Sequence, residues 1–343
     1  MKIGVLTGGG DAPGLNAVIR AVVKRAEEYG FEVIGIKRGW AGLLDKVETI
    51  PLRYSEVESI VKDAGTILLT SRTNPLKDPE GIKKVKENIR KLKLDALIAI
   101  GGDDTLSVAK KLAEEGEKVI GVPKTIDNDV PGTDFTFGFL TAVEAAMEAL
   151  DNLKVTGASH ERVMVAEVMG RHAGWIAAYS GIASGADLIL LPERPFKISD
   201  VVEFVKKKKA EGKNSLLIVV AEGALIADYS GPITKDVKKD QFGHVLLGGI
   251  GDFLAKEIEK ATGLETRSAV LGHVIRGKSP IAFDRVLSTR FGIKAVDLVK
   301  EGKFGRMVSL SGTKIVDIDL IEGMKGTRLV DEELLKVVDA FCS

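Results

Sequence analysis

The chain has 343 residues, 45% of them apolar and 29% charged, with a formal net charge of +0. That length suggests two domains or one large α/β unit, and the composition is that of an ordinary soluble globular protein. Zero net charge argues against a general nucleic-acid footprint, while leaving room for a local basic pocket. The one cysteine, Cys342, excludes a disulfide framework and a cysteine-based metal site, and it suits a reducing cytoplasm. The apolar run in "MKIGVLTGGGDAPG" is too short for a signal segment. No stretch reaches the roughly 18 consecutive apolar residues of a membrane span. Gln241 is the only glutamine, and Lys and Glu abound, a balance that leans toward a thermophilic source.

In chain order, "KIGVLT" (2–7) reads as a buried strand, "LNAVIRAVVKRAEEYG" (15–30) as a helix ended by Gly, and "FEVIGI" (31–36) as a strand. Further strands are expected at 96–102, 118–123, 162–170, 188–190, 215–221 and 267–274. Helical patterns lie near 80–92, 105–115, 138–154, 172–182, 198–210, 245–262, 282–301 and 332–341. Strand and helix alternating in this way imply an α/β fold of two lobes, each a mainly parallel sheet flanked by helices. The expected lobes are 1–137 with the C-terminal segment from about 302 to 343, and 138–301. Residues 228–252 look like a surface excursion with no assignable role. "KKKK" at 206–209 reads as the solvated end of a helix.

In open α/β sheets, ligands sit beyond the C-terminal ends of the strands. After the first strand comes "TGGGDAPGLNA", whose glycines and following helix can face backbone N–H groups to an anion. It lacks the dinucleotide spacing, and a tight strand-to-helix turn is the alternative. After the strand at 96–100 comes "GGDDT". Gly102 allows close backbone approach, and Asp103 and Asp104 supply carboxylates of the kind that hold Mg²⁺ beside phosphate; an N-capping Asp is the alternative. After the next strand comes "PKTIDND". Asp127 is a candidate general base, Lys124 can neutralise phosphate and Asp129 can orient a metal or its water; an Asx-rich loop is the alternative. In "EVMGRHAGW" (167–175), Gly170 and Arg171 are read as opening a helix. Glu222 in "AEG" can accept sugar hydroxyls, and "TRSAVLGHVIRGKSP" brings Arg267, His273 and Arg276 together. Taken alone, His273 reads as a packed or capping histidine. These loops together read as phosphoryl transfer between two phosphorylated molecules.

The motifs "GGGDAPGLN", "GGDDT", "PKTIDND", "MGRHAGW", "AEG" and "LGHVIRGKSP" resemble, in this order and across nearly the whole chain, the phosphofructokinase family. The resemblance implies a two-lobed fold with the active site in the cleft between the lobes. It also implies Mg²⁺-dependent phosphorylation of fructose 6-phosphate at its 1-hydroxyl. It makes Asp127 the base, with Thr125 and Arg171 on the transferring phosphoryl group. Asp103 would hold Mg²⁺, assisted by Asp129. Gly10, Arg72, Gly102, Asp104, Thr105 and Lys124 would line the phosphoryl-donor site. Met169, Gly170, Glu222 and His273 would grip the sugar, and Arg162, Arg267 and Arg276 its 6-phosphate. In the family the positions of Arg162 and Arg267 reach across from a neighbouring subunit, which implies a homo-oligomer, a tetramer ahead of a dimer. A cytoplasmic enzyme with no nucleic-acid or membrane partner is expected.

Members that use ATP typically carry Gly where this chain has Asp104, and many carry Gly in place of Lys124. Members that use pyrophosphate resemble this chain at both positions. An Asp at 104 puts bulk and negative charge where a nucleotide's α-phosphate must pass, and Thr73 stands where several ATP-using relatives have an aromatic residue. The resemblance therefore implies pyrophosphate as donor and a reversible step of glycolysis and gluconeogenesis, with ATP as the alternative. Sedoheptulose 7-phosphate is a possible second acceptor. Arg20, Lys24, Arg53 and Lys213 match basic positions of the family's effector site. Lipid and NAD kinases share a GGDGT-like loop but do not resemble "PKTIDND" or "MGRHAGW". A non-catalytic sugar-phosphate sensor would lack Asp127 or Asp103, and both are present.

Overall fold

The computed structural model describes residues 1–227 and 249–341. The polar excursion therefore lies, but for its last residues, outside the described residues, as does Cys342. Two compact units emerge. Of the described residues, the first takes Met1–Thr141 and Arg276–Thr327; the second takes 142–227, 249–275 and 328–341.

The first unit opens with β1 (Lys2–Thr7), α1 (Leu15–Glu28), β2 (Glu32–Ile36), β3 (Thr49–Leu52) and the short α2 (Tyr54–Val57). α3 (Gly81–Lys91), β4 (Ala96–Gly101), α4 (Asp103–Glu114) and β5 (Val119–Pro123) follow, and α5 (Phe139–Ser159) leads into the second unit. That unit holds β6 (Val163–Val168), α6 (Trp175–Ala183), β7 (Leu188–Leu190), α7 (Ile198–Ala210), β8 (Leu216–Ala221), α8 (Ile250–Thr262) and β9 (Thr266–Val270). The chain then gives α9 (Ala282–Lys300), β10 (Arg306–Ser311), β11 (Lys314–Asp319) and α10 (Leu320–Gly323) to the first unit, and α11 (Glu332–Phe341) to the second.

The first sheet runs β11-β10-β5-β4-β1-β2-β3 and the second β7-β8-β6-β9. The second is parallel throughout. In the first, β3 and β11 are antiparallel edges on an otherwise parallel sheet. β4, β5, β6 and β8 are buried along their whole length, so their sequences are unbroken apolar runs rather than alternating ones. β1 lies between β4 and β2. The chain turns to opposite sides of β1 after β1 and after β4, so a crevice opens at the ends of these strands.

Two clusters cover the faces of the first sheet. Ile3, Val5, Ile98 and Val122 pack with α1 and α9, while Leu6, Leu97 and Ala99 pack with α3, α4 and α10. α9 corrects the expected lobes, because residues 276–301 go with the first unit. The physical reason is its apolar face: Leu287, Phe291, Ala295, Val296 and Val299 share one buried cluster with Val18, Ile19 and Val22 of α1. Residues from 328 onward go the other way. Leu335 and Val338 of α11 are buried, and the indole N–H of Trp175 on α6 donates to the Arg328 carbonyl at 2.9 Å.

Gly292 sets the approach of α9 to α1. A Cβ there would stand 2.8 Å from both the Val18 carbonyl oxygen and the Ala21 Cβ. In an exposed helix, Gly to Ala gains about 1 kcal/mol. Here the clash is with backbone that cannot yield alone, and overpacking of this kind costs about 1–3 kcal/mol. Gly292→Ala should therefore lower the urea midpoint of unfolding, and a raised midpoint would contradict this packing.

Candidate active site

The first-unit motifs meet at the crevice beside β1. Gly8 N–H donates to the Ile100 carbonyl at 2.9 Å, and Lys124 N–H donates to the Gly101 carbonyl at 2.9 Å, which ties the three strand ends side by side. Thr105 is buried among them. A Cβ on Gly8 would lie 2.6 Å from Thr105 Oγ1, and one on Gly101 would lie 2.3 Å from Thr105 Cβ. Glycine is needed at 8 and 101 because Thr105 fills that space. The expected phosphate loop is thus a packed floor, and Thr105 belongs to its support.

Lys124 is 2% exposed. Its ammonium donates to the carbonyls of Gly8 (3.1 Å) and Gly10, so the cation braces the glycine loop from beneath. Burial and then the Arg276 guanidinium push its pKa down to about 7, while Asp11 and Asp127 pull it upward and Arg72 presses it down. Arg276, also buried, donates from Nη1 to the Asp11 carbonyl at 2.9 Å, and a Cβ on Gly10 would stand 2.8 Å from that nitrogen. Gly10 is therefore small so that Arg276 can lie against it. Arg276 belongs with the glycine loop of the first unit, and Arg162 and Arg267 belong to the second.

Gly102 takes the N-cap position of α4, and Asp103 and Asp104 occupy its first turn, where carboxylates suit the helix dipole. The alternative of an N-capping Asp is therefore replaced by a glycine cap. On the neighbouring loop, Asp127 N–H donates to Thr125 Oγ1 at 3.0 Å, and Thr125 Oγ1 lies 3.5 Å from Asp127 Oδ2. Asn128 makes the bend in the left-handed region, φ 53°, and its Oδ1 accepts from Thr136 N–H at 3.0 Å. Burial and the carboxylates of Asp127, Asp103 and Asp104 push the Asp129 carboxyl up to about 7. Four acidic groups that repel one another fit a divalent cation, which would relieve that repulsion. Among the described residues no three His, Cys, Asp or Glu side chains could hold a metal ion. A Mg²⁺-like ion bound by one or two carboxylates, substrate phosphate and water needs no such cage.

Arg72 sits on a loop that sequence reading left without support. Thr70 Oγ1 donates to the Gly9 carbonyl at 2.6 Å, Gly9 N–H to the Ser71 carbonyl at 3.0 Å, and Thr7 Oγ1 to the Leu69 carbonyl at 2.9 Å. The buried Asn16 side chain accepts from Ile67 N–H at 2.9 Å and donates to the Asp63 carbonyl at 3.2 Å. These partners lie 47 to 62 positions apart in the chain, so no local pattern announces them. Asp284 is another such residue. It is fully buried, its Oδ2 accepts from Thr141 N–H at 2.8 Å and from the Thr141 hydroxyl at 2.5 Å, and burial raises its pKa.

In the second unit, the loops after β6 and β8 are zipped together. Glu222 N–H donates to the Val168 carbonyl at 2.8 Å, and Gly223 N–H to the Gly170 carbonyl at 3.0 Å. This brings Met169, Gly170, Arg171 and Glu222 to one end of the sheet. Gly170 has φ 140°, a glycine conformation, and α6 begins only at Trp175. Gly170 and Arg171 therefore lie in the loop before the helix and do not open it. Arg171 Nη1 is buried with no hydrogen-bond partner among the described residues. Arg162 Nη2 and Arg267 Nη2 both reach Glu265 Oε1, each at 2.6 Å. Those two arginines are thus brought together, while His273 stands exposed on a turn from Gly272 to Arg276.

The matched effector positions are engaged within the chain. Arg20 donates to Tyr54 Oη at 2.7 Å and to the Glu58 carbonyl at 2.9 Å, Lys24 lies 4.9 Å from the Tyr54 ring centroid, and Arg53 N–H donates to Glu56 at 3.2 Å. Lys213 pairs with the buried Asp187. Lys207, Lys208 and Lys209 form the basic last turn of α7, as the sequence suggested. No helix among the described residues is long and apolar enough to cross a membrane.

Comparison with known proteins places this geometry. The phosphofructokinase profile matches residues 2–299. The chain is 52% identical to the pyrophosphate–fructose 6-phosphate 1-phosphotransferase of Amycolatopsis methanolica, over 99% of both chains. It is 50% identical to the ATP-dependent 6-phosphofructokinase 2 of Streptomyces coelicolor, over 97% of both. Among solved structures, phosphofructokinase from Saccharomyces cerevisiae matches with TM-score 0.80 and 31% identity, covering 99% of this chain and 46% of that longer one. With its motifs in family order and its sheets in the family's fold, the chain belongs to the phosphofructokinase family.

Proposed function

We propose that this chain transfers a phosphoryl group reversibly between pyrophosphate and the 1-hydroxyl of fructose 6-phosphate. Mg²⁺ is its cofactor, the cytoplasm its location, and a homo-oligomer, tetramer or dimer, its working form. The observations that carry the donor assignment are Asp104 in the first turn of α4 and, separately, Lys124 beneath the glycine loop. A compact, highly charged donor suits a small glycine-floored site braced by a cation. The ATP-dependent reading draws on the 50% identity to an ATP-dependent relative. Among the relatives compared, those of highest identity are pyrophosphate-dependent, and the residue at 104 points the same way, against the nucleotide.

In this reading Asp127 takes the proton of the 1-hydroxyl as its oxygen attacks phosphorus. The new O–P bond forms, the bridging P–O bond of pyrophosphate breaks, and phosphate departs. Thr125 holds Asp127 in place, and Thr125 and Arg171 offer donors to the transferring phosphoryl group. Arg72, Gly10, Gly102 and Thr105 seat or support the donor. Asp103, assisted by Asp129, would hold Mg²⁺, which supplies charge neutralisation at the phosphates. Met169, Gly170, Glu222 and His273 hold the sugar. Arg162 and Arg267, gathered on Glu265, serve the 6-phosphate in a neighbouring subunit, and Arg276 serves the 6-phosphate of its own.

Two outcomes are expected. Asp127→Asn should cut kcat by roughly 10²–10⁴-fold while the KM for fructose 6-phosphate changes little, because a general base acts in the transition state. Steady-state kinetics check this, and unchanged turnover would remove Asp127 from the reaction. The second concerns protons. With a free pKa of about 7, Lys124 is mostly neutral at pH 8. A bound polyanion favours the charged form, so donor binding at pH 8 is linked to proton uptake that fades below pH 7. Calorimetry of pyrophosphate binding in buffers of different ionisation enthalpy should show more uptake for the wild type than for Lys124→Met. Equal uptake would separate Lys124 from the donor charge.

A further inference from the structure

Arg171 rides on a loop of five residues between two anchors. At one end, Gly170 is zipped to Gly223, and a Cβ on Gly223 would stand 1.9 Å from the Arg171 carbonyl oxygen. The backbone of Arg171 is therefore seated directly on Gly223. At the other end stands a residue that no sequence motif singled out, Glu193. Its Oε1 accepts from Gly174 N–H at 2.9 Å and from Val330 N–H at 3.0 Å, and its Oε2 lies 3.2 Å from the same Gly174 nitrogen. Gly174 is the N-cap of α6 and offers no side-chain cap of its own. One carboxylate therefore supplies the acceptor and the negative charge that this helix end lacks.

The same carboxylate binds the C-terminal strap. Arg328 lies with its guanidinium carbon 4.2 Å from the Trp175 ring centroid, and its carbonyl accepts from the Trp175 indole N–H at 2.9 Å. Two residues on, Val330 donates to Glu193. Three groups thus converge on the start of α6: the Glu193 carboxylate, the strap and the indole of Trp175. Space is tight as well, since a Cβ on Gly174 would stand 2.6 Å from Leu191 Cδ2 and 2.9 Å from Glu193 Oε2.

We propose that Glu193 is a positioning residue for Arg171. Its carboxylate ties the strap and the N-terminal end of α6 into one support, so that the loop carrying Arg171 is held at both ends. The inference rests on the role of Arg171 given above. The first anchor fixes the loop at Gly170 and Gly223, and the second fixes it at Gly174. Arg171 Nη1 is buried with no hydrogen-bond partner among the described residues, so within them its direction is set by the loop rather than by a side-chain contact at that nitrogen. A guanidinium displaced by about 1 Å loses up to roughly a hundredfold in rate.

The test is a double-mutant cycle on turnover with pyrophosphate and fructose 6-phosphate, using the full chain. Glu193→Ala should lower kcat by roughly ten- to a hundredfold, with the KM for the sugar phosphate little changed. In the Arg171→Ala background the same change should cost almost nothing further, since there is no guanidinium left to aim. Glu193→Gln, which keeps shape and one acceptor oxygen, covers the case in which Glu193→Ala does not fold and should show a smaller loss that also vanishes beside Arg171→Ala. A kcat loss that multiplies with that of Arg171→Ala would overturn the proposal and make Glu193 a general stabiliser. Wild-type turnover in both Glu193 variants would overturn it too. Wild-type turnover in Arg171→Ala would instead sink the role of Arg171, and the positioning role with it.

Discussion

The buried ammonium of Lys124 is the constraint on which the first-unit site depends. It holds the carbonyls of Gly8 and Gly10 from below, and so fixes the one loop that has no side chains to fix itself. Stripping water from an ammonium is costly, and the low pKa records that cost. The carbonyls offset part of it. An anion bound over the loop would offset the rest. Arg276 completes the brace by lying across Gly10 and donating to Asp11.

The acidic side of the crevice works by the opposite sign. Burial and the carboxylates of Asp127, Asp103 and Asp104 raise the proton affinity of Asp129. A cation at Asp103 and phosphates over the glycine loop would satisfy both halves together.

Much of this was legible in the chain. Unbroken apolar runs ending in Gly, Asp and Thr located β1, β4, β5, β6 and β8 and the loops that follow them, because in parallel sheets burial and ligand position are both set locally. Three strands escaped. β10 and β11 form a hairpin across "SGT", and its alternation with a turn glycine was a usable signal. β3 is a short antiparallel edge whose register is set by β2. Unit membership was misread for α9 and for the chain after 328, since both depend on faces packing across more than a hundred residues. The supporting residues were illegible for the same reason. Thr70, Asn16, Asp284 and Glu193 are ordinary in their own neighbourhoods, and only their distant partners give them a role.

The reaction class rests on features shared by the whole family, and the donor rests on two side chains. Asp104 lies in the first turn of α4, and Lys124 supports the loop across from it. The direct measurement is the specificity constant, kcat/KM, for pyrophosphate and for ATP, with fructose 6-phosphate and Mg²⁺ in excess and fructose 1,6-bisphosphate as the readout. A strong preference for pyrophosphate is expected from the charge at 104 and the brace at 124. A preference for ATP would contradict the donor assignment, and would mean that Asp104 turns away from the path of the nucleotide.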